Sequence, residues 1–115
     1  MTLLAADLKF KRKFPRRHFR RAIGFLCSGH YFVGGGVEIG EGGIAIALPR
    51  EFPLETQGTV SFQIPDGSFV CVRVVIKNLQ GHPDGSWVYG ASFQNLKFEH
   101  KREIRAYVSA RSEFE

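Results

Sequence analysis

Alternating strand-forming residues run through most of this 115-residue chain, and the connections between them are short. The alternation covers residues 22–93, and Gly, Pro and Asp mark its breaks. Parallel strands need crossover connections of about a dozen residues or more, and these gaps are shorter. The sequence therefore predicts one antiparallel β domain of five or six strands, built as a small barrel or a sandwich.

Turn residues divide this region into individual strands. The expected strands are residues 22–33, 37–48, 60–64, 68–78 and 87–93. The glycines at 34–36 are expected to join the first two strands, and the glycines at 40–43 to interrupt the second. In the strand at 68–78, alternation predicts that one face is lined by Val70, Val72, Val74 and Ile76, and the other by Phe69, Cys71, Arg73 and Val75.

The periodicity changes near residue 97. Ile104, Tyr107 and Val108 are spaced i, i+3 and i+4, with charged residues between them. This spacing predicts one amphipathic helix that runs to about residue 110. Its apolar stripe is expected to cover an open end or edge of the β structure.

The positive charge of the chain is concentrated near its start. Eight of the sixteen Lys and Arg residues lie within residues 9–21, which contain no acidic residue. Because the formal net charge is +5, the rest of the chain sums to −3. Such a cluster predicts an anionic partner: a phosphate, a nucleic acid, a membrane surface or an acidic protein. We interpret residues 1–15 as a basic tail and residues 16–115 as the folded domain.

Patterns typical of catalysis or metal binding do not stand out in the sequence. The four histidines are dispersed, Cys27 and Cys71 form no CxxC pair, and no nucleophile elbow or P-loop is present. We therefore expect a protein that is not an enzyme and holds no metal or cofactor. No apolar run reaches membrane-spanning length and no secretory leader is recognisable, so a cytoplasmic location with reduced cysteines is expected.

Two neighbouring segments have the chemistry of a phosphate or base site. Arg16 and Arg20 have RxxxR spacing, as do Arg17 and Arg21. Guanidinium groups bind phosphates bidentately and stack on planar bases. The second segment, residues 37–44, is rich in glycine, which in a strand usually marks a bulge or the close approach of a ligand or backbone.

Together these segments resemble the PilZ domain family, in which an RxxxR element precedes the first barrel strand and an [Asp/Asn]-x-Ser-x-x-Gly element follows later. The second element reads here Glu38-Ile39-Gly40-Glu41-Gly42-Gly43, while residues 87–93 and 103–108 resemble the late strand and closing helix of the family. The resemblance implies an all-β fold with a C-terminal helix, a six-stranded antiparallel PilZ-like barrel. It also implies a nucleotide-binding role in bacterial second-messenger signalling, as a receptor for cyclic di-GMP.

The resemblance assigns ligand contacts to seven residues: Arg16, Arg17, Arg20, Arg21, Glu38, Gly40 and Gly43. Arg17 and Arg21 are the first choice for the two motif arginines, because Arg21 directly precedes a strand. Arg16 and Arg20 form the alternative register.

The second motif departs from the family pattern at two positions. Glu38 replaces Asp or Asn and keeps the oxygens that accept hydrogen bonds from a guanine. Gly40 replaces Ser and removes a hydroxyl, a loss of about 0.5–1.5 kcal/mol if one hydrogen bond is missing. Gly43 retains the final glycine. Binding is expected to be weakened by these changes and not abolished.

Three functions follow from these observations. The first is a cyclic di-GMP receptor whose N-terminal arm rearranges on binding and signals to a protein partner. The second is a PilZ-like adaptor that binds no ligand and acts through an exposed aromatic patch. The third is binding of nucleic acid, without sequence specificity, or of an anionic membrane by the basic arm, with Phe10, Phe14 and Phe19 as stacking or inserting groups.

Overall fold

The structure, a computed structural model, describes residues 15–110. Its elements are β1 (Arg16–His18), β2 (Ala22–Cys27), β3 (His30–Gly40), β4 (Gly43–Leu48), β5 (Gln57–Gln63), β6 (Phe69–Gly81), a short 3-10 helix (Pro83–Gly85), β7 (Trp87–Gln94) and α1 (Phe98–Ser109). The predicted basic tail lies outside the described residues, except for Pro15. Within residues 15–110, the helical segments lack the length and hydrophobicity that crossing a bilayer requires.

The strands form a closed barrel. Their order is β3-β2-β5-β6-β7-β4, and β4 pairs back onto β3, with every neighbouring pair antiparallel. The predicted six-stranded antiparallel barrel is thereby confirmed, and the sandwich is excluded. The short strand β1 pairs with the last three residues of β3. It lies on the same edge of β3 as β2, which pairs with residues 30–35 of that strand.

The expected break at glycines 34–36 is wrong. β3 runs through these glycines, and the turn falls earlier, at residues 28–29. Both turn residues have positive φ, 50° and 78°, as a two-residue hairpin turn requires. The glycine inside the strand instead permits close packing, because a Cβ on Gly34 would meet the carbonyl oxygen of Ala47 on β4.

The barrel interior is filled by apolar side chains from each of the six barrel strands, β2 to β7. Val70, Val72 and Val74 are all buried, which confirms the predicted period of two along β6. Tyr89 is among the largest fully buried residues, and its hydroxyl accepts a hydrogen bond of 2.7 Å from the backbone N–H of Phe52. The core therefore forms without help from a disulfide, since both cysteines are free.

Phe19 belongs to this core, although it lies within the basic segment, between Arg17 and Arg20. It is 1% exposed and packs edge-to-face against Phe62, with ring centroids 5.5 Å apart. The suggestion that Phe19 stacks on bases or inserts into a membrane is therefore wrong. Burial of its ring fixes the start of the domain on the barrel.

The helix α1 covers one end of the barrel, as its apolar stripe predicted. In an antiparallel barrel the end of β3, the start of β4, the end of β5 and the start of β6 meet at one end. Ile104 and Val108 are buried in the common core, and Tyr107 packs edge-to-face against Phe19. The helix therefore seals the barrel end at which the two motif segments lie.

Ile104→Ala is expected to lower the free energy of unfolding by about 2–5 kcal/mol, because it removes buried methyl groups and leaves a cavity. Urea unfolding followed by circular dichroism measures the change. Arg102→Ala, exposed on the same helix, is the control and is expected to change stability by less than about 0.5 kcal/mol. Equal effects of the two substitutions would contradict a sealing role for the helix.

Candidate functional site

A groove of about 290 Å³ crosses the outer wall of the barrel over β3, β4, β7 and β6. Arg16 and Glu38 form one rim, and polar residues of β6 form the other. The floor between them consists of small residues, including Gly43, Ala45 and Gly90. The volume is near the lower end of the range of roughly 300–1,000 Å³ that is usual for small-molecule sites.

Four of the seven residues expected to contact a ligand line this groove: Arg16, Glu38, Gly40 and Gly43. Arg17 is directed toward α1, and Arg20 and Arg21 are exposed in the connection between β1 and β2. The structure thus brings residues of both motifs to one surface. The ligand contacts themselves stay predictions.

The two neighbouring arginines of β1 have different surroundings. Arg16 Nη1 lies 3.5 Å from Oε1 of Glu38, and the two side chains are 39% and 29% exposed. Arg17 Nη1 donates a hydrogen bond of 2.9 Å to the carbonyl oxygen of Tyr107, and its guanidinium carbon lies 4.3 Å from the centroid of that ring. Successive side chains of a strand point in opposite directions, so β1 presents one arginine to the groove and the next to the helix.

A β-bulge orients Glu38 toward the groove. Gly36 pairs with Ile46 and Glu38 pairs with Ala45, so Val37 is an additional residue in β3. Bulges bend a strand and change the direction of the side chains that follow, and they are frequent beside binding sites. The carboxylate of Glu38 therefore reaches the same rim as Arg16.

Gly40 is explained by the close approach of β1. Gly40 pairs with Arg16, and a Cβ on Gly40 would lie 2.9 Å from the carbonyl oxygen of Pro15 and 3.3 Å from Cγ of Arg16. A serine in this place would push β1 away from β3. The glycine that lacks the serine hydroxyl of the family motif therefore allows the two motif segments to lie close together.

Glu41 is a buried carboxylate whose partner was not predictable from the sequence. Arg105 of α1 binds it bidentately, with Nε donating to Oε2 at 2.8 Å and Nη2 donating to Oε1 at 2.9 Å. These hydrogen bonds lower the pKa of Glu41, an effect that burial opposes. Since Glu41 lies in the turn between β3 and β4, the pair ties the groove floor to the helix.

The far rim of the groove was also missed by sequence reasoning. It consists of Lys77, Asn78 and Gln80 on β6. The available signal was the end of regular alternation after Ile76, where polar residues begin to follow one another. A run of this kind indicates a change in strand geometry and not only solvent exposure.

The groove offers groups suited to recognition. A guanidinium binds phosphate, a carboxylate accepts hydrogen bonds from N–H donors, and amides both donate and accept. Among residues 15–110, no group of three or more His, Cys, Asp and Glu residues is arranged to hold a metal ion. The arrangement fits binding of a phosphate-bearing ligand with a polar base.

Gly43→Ala is expected to destabilise the fold by about 1–3 kcal/mol, as overpacking of a close contact does. A Cβ at this position would meet the carbonyl oxygen of Ala91, which belongs to the rigid backbone of β7. Thermal unfolding measures the effect. Gly35→Ala is the matched control, because nothing lies within 4 Å of a Cβ there. A Gly43→Ala variant as stable as Gly35→Ala would contradict the close pairing of β4 and β7.

The Glu41–Arg105 pair is expected to make stability depend on pH. Because folding lowers the pKa of Glu41 below its ordinary value of 4.5, the unfolded chain binds a proton first as the pH falls, and stability is lost. Glu41→Gln removes this dependence, so the difference in Tm between wild type and variant should be large at neutral pH and small below the lowered pKa.

Ser68 lowers the pKa of Glu103 in the same way and remains in both proteins, so its effect cancels in this comparison. A Tm difference that does not change with pH would exclude an ionic role for Glu41.

Comparisons with known proteins agree with this architecture. The structure is similar to the Bacillus subtilis inhibitor of motility MotI/DgrA, with a TM-score of 0.77 and 12% identity over 85% of this chain and 49% of that one. It is also similar to the Borreliella burgdorferi PlzA protein in complex with c-di-GMP, with a TM-score of 0.62 and 13% identity over 91% and 45%. The K. pneumonia MrkH–c-di-GMP complex matches with a TM-score of 0.64 and 16% identity over 81% and 48%.

This chain therefore spans about half the length of each of these three proteins. No sequence among the curated proteins matches it significantly. At these low identities the structural likeness establishes the fold alone. The family follows from the sequence itself, which matches the PilZ domain over residues 10–110, and the chain belongs to the PilZ domain family.

Proposed function

We propose that this PilZ domain binds cyclic di-GMP in the groove beside β1. PilZ domains are binding and receptor domains and not enzymes. The observation that carries the proposal is that Arg16, Glu38, Gly40 and Gly43, from two separate sequence segments, line one surface. In this role cyclic di-GMP is a ligand and not a cofactor, and as its receptor the protein is cytoplasmic.

Ligand binding replaces an existing ion pair. Arg16 and Glu38 face each other across the rim at 3.5 Å, and an ion pair with this degree of exposure contributes only about 0–1 kcal/mol. A phosphate takes the place of the carboxylate beside Arg16, and the guanine N1–H and exocyclic amine donate to Glu38. Both groups thereby exchange a weak surface pair for charge-assisted hydrogen bonds to the ligand.

The surroundings of β1 favour the register Arg16–Arg20 over Arg17–Arg21 for this function. Arg16 lines the groove, whereas Arg17 contacts the carbonyl oxygen and the ring of Tyr107. Recruiting Arg17 would break these contacts with the helix. Arg20 is exposed and lies four residues beyond Arg16, so we assign the second motif role to it.

The signal passes through β1 to the arm that precedes it and then to a protein partner. This strand has three residues and pairs only with the end of β3, so a shift of β1 breaks few backbone hydrogen bonds, while the buried ring of Phe19 keeps the next residue on the barrel. Movement of Arg16 toward a ligand displaces Arg17 and its contacts with α1. The positive charges of residues 9–21 raise the association rate with an anionic ligand.

Isothermal titration calorimetry with cyclic di-GMP tests the proposal. Wild type is expected to bind, and Arg16→Ala to weaken binding by about tenfold to a hundredfold, because it removes a charge-assisted hydrogen bond. Arg73→Ala is the matched control, since Arg73 is exposed on β6 and does not line the groove. Folded wild-type protein that gives no heat with high micromolar ligand would refute the receptor function.

The adaptor function has one observation in its favour. Leu26, Tyr31 and Val33 are 47%, 63% and 63% exposed on the neighbouring strands β2 and β3. Leu26 pairs with Tyr31, and Val33 lies on the same face. An apolar surface of this kind is typical of protein contacts, and it stays the second candidate if the groove binds no nucleotide.

A further inference from the structure

Two β-bulges lie close together in β6, at the rim of the groove opposite Arg16. Ile76 pairs with Ala91 and Asn78 with Gly90, so Lys77 is an additional residue. Leu79 pairs with Tyr89 and Gly81 with Val88, so Gln80 is a second one. Bulges frequently redirect side chains beside binding sites. The same device orients Glu38 on the other rim.

The bulges direct two amide side chains over the groove floor. Gly90 lies between the buried residues Tyr89 and Ala91, so its partner Asn78 faces outward. A Cβ on Gly90 would lie 2.7 Å from Oδ1 of Asn78 and 2.8 Å from Nε2 of Gln80. The two amides therefore converge above a floor position that has no side chain.

The two rims differ in hydrogen-bonding chemistry. A carboxylate only accepts, so Glu38 selects a base edge that donates, such as N1–H and the exocyclic amine of guanine. An amide presents one acceptor and one donor group. Rotation of an amide group exchanges the positions of its donor and its acceptor. Asn78 and Gln80 can therefore pair with O6 and N1–H of guanine, or with the exocyclic amine and N1 of adenine.

We propose that Asn78, Gln80 and the bare Gly90 form a second base site in the groove, which holds the second base of a cyclic dinucleotide and accepts either purine. The inference rests on the proposed function, because the Arg16–Glu38 rim must hold the first guanine. Lys77 completes this rim with a positive charge across the floor from Arg16. Its present partner Glu55 is an exposed carboxylate 3.3 Å away, which a ligand phosphate can replace.

The double variant Asn78→Ala/Gln80→Ala tests the site by calorimetry. It is expected to bind cyclic di-GMP about tenfold more weakly, because two base contacts are lost. Both residues are exposed, so the variant should fold, which its Tm will show. Gln57→Ala is the matched control: it removes an exposed amide on β5 that does not line the groove.

Gly90→Ala provides an independent test without removing either amide. The three atoms nearest to its methyl group would belong to the amide ends of these two flexible side chains, so the fold should persist while both amides are displaced. Binding should weaken to a similar degree as in the double variant. Unchanged affinity in both variants would overturn the second base site.

Purine selectivity separates the two rims. Wild type is expected to bind the hybrid cyclic GMP-AMP within about tenfold of cyclic di-GMP, since the amides accept adenine, and to bind cyclic di-AMP far more weakly. If the hybrid binds as weakly as cyclic di-AMP, the claim that the second site accepts adenine is wrong. If wild type binds cyclic di-GMP but the rim variants lose nothing, only this inference fails; if wild type binds none of the three ligands, the proposed function fails with it.

Discussion

β3 is hydrogen-bonded along both of its edges, and the barrel and the groove both depend on this double pairing. One edge carries β4, and the other carries β2 followed by β1. Pairing on both edges closes the sheet and leaves no exposed strand edge at this point. It also brings Arg16 beside the end of the glycine-rich segment, although some twenty residues of chain separate them.

The architecture could be derived from the sequence because it depends on patterns that span many residues. The alternation of Val70, Val72 and Val74 and the helical spacing of Ile104 and Val108 can be recognised even where single residues depart from the pattern. The predicted strand break at residues 34–36 was wrong because glycine is common both in turns and at close contacts between strands. Which of the two applies depends on the neighbouring strand, which is remote in sequence.

The candidate site was only partly accessible to sequence reasoning, for a related physical reason. Motif spacing located Arg16 and Glu38, but alternation within a three-residue strand determines that Arg16 and not Arg17 lines the groove. The far rim depends on bulges at Lys77 and Gln80, which follow from the register of β6 against β7. A bulge inserts one residue in one of two paired strands, so its position depends on how both strands pair and not on the sequence of one strand alone.

The helix and the groove share a mechanical connection. Glu103 accepts hydrogen bonds from Ser68, Arg105 binds Glu41, and the hydroxyl of Tyr107 donates to the carbonyl oxygen of His18. These contacts join α1 to three different places at one end of the barrel. Two of them, at Glu41 and at His18, lie next to groove residues, so the helix is attached to the backbone that forms the groove.

The arginine doublet of β1 has a consequence for how this segment tolerates change. A shift of one residue in the pairing of a strand exchanges its two faces and normally destroys the pattern of side chains. With Arg16 followed by Arg17, such a shift would still present a guanidinium to the groove, even though the contacts of its neighbour would change. Because the arginine is repeated, one of the two faces the groove whichever way the pairing of β1 shifts by one residue. An insertion or deletion of one residue near β1 therefore leaves a positive charge at the rim.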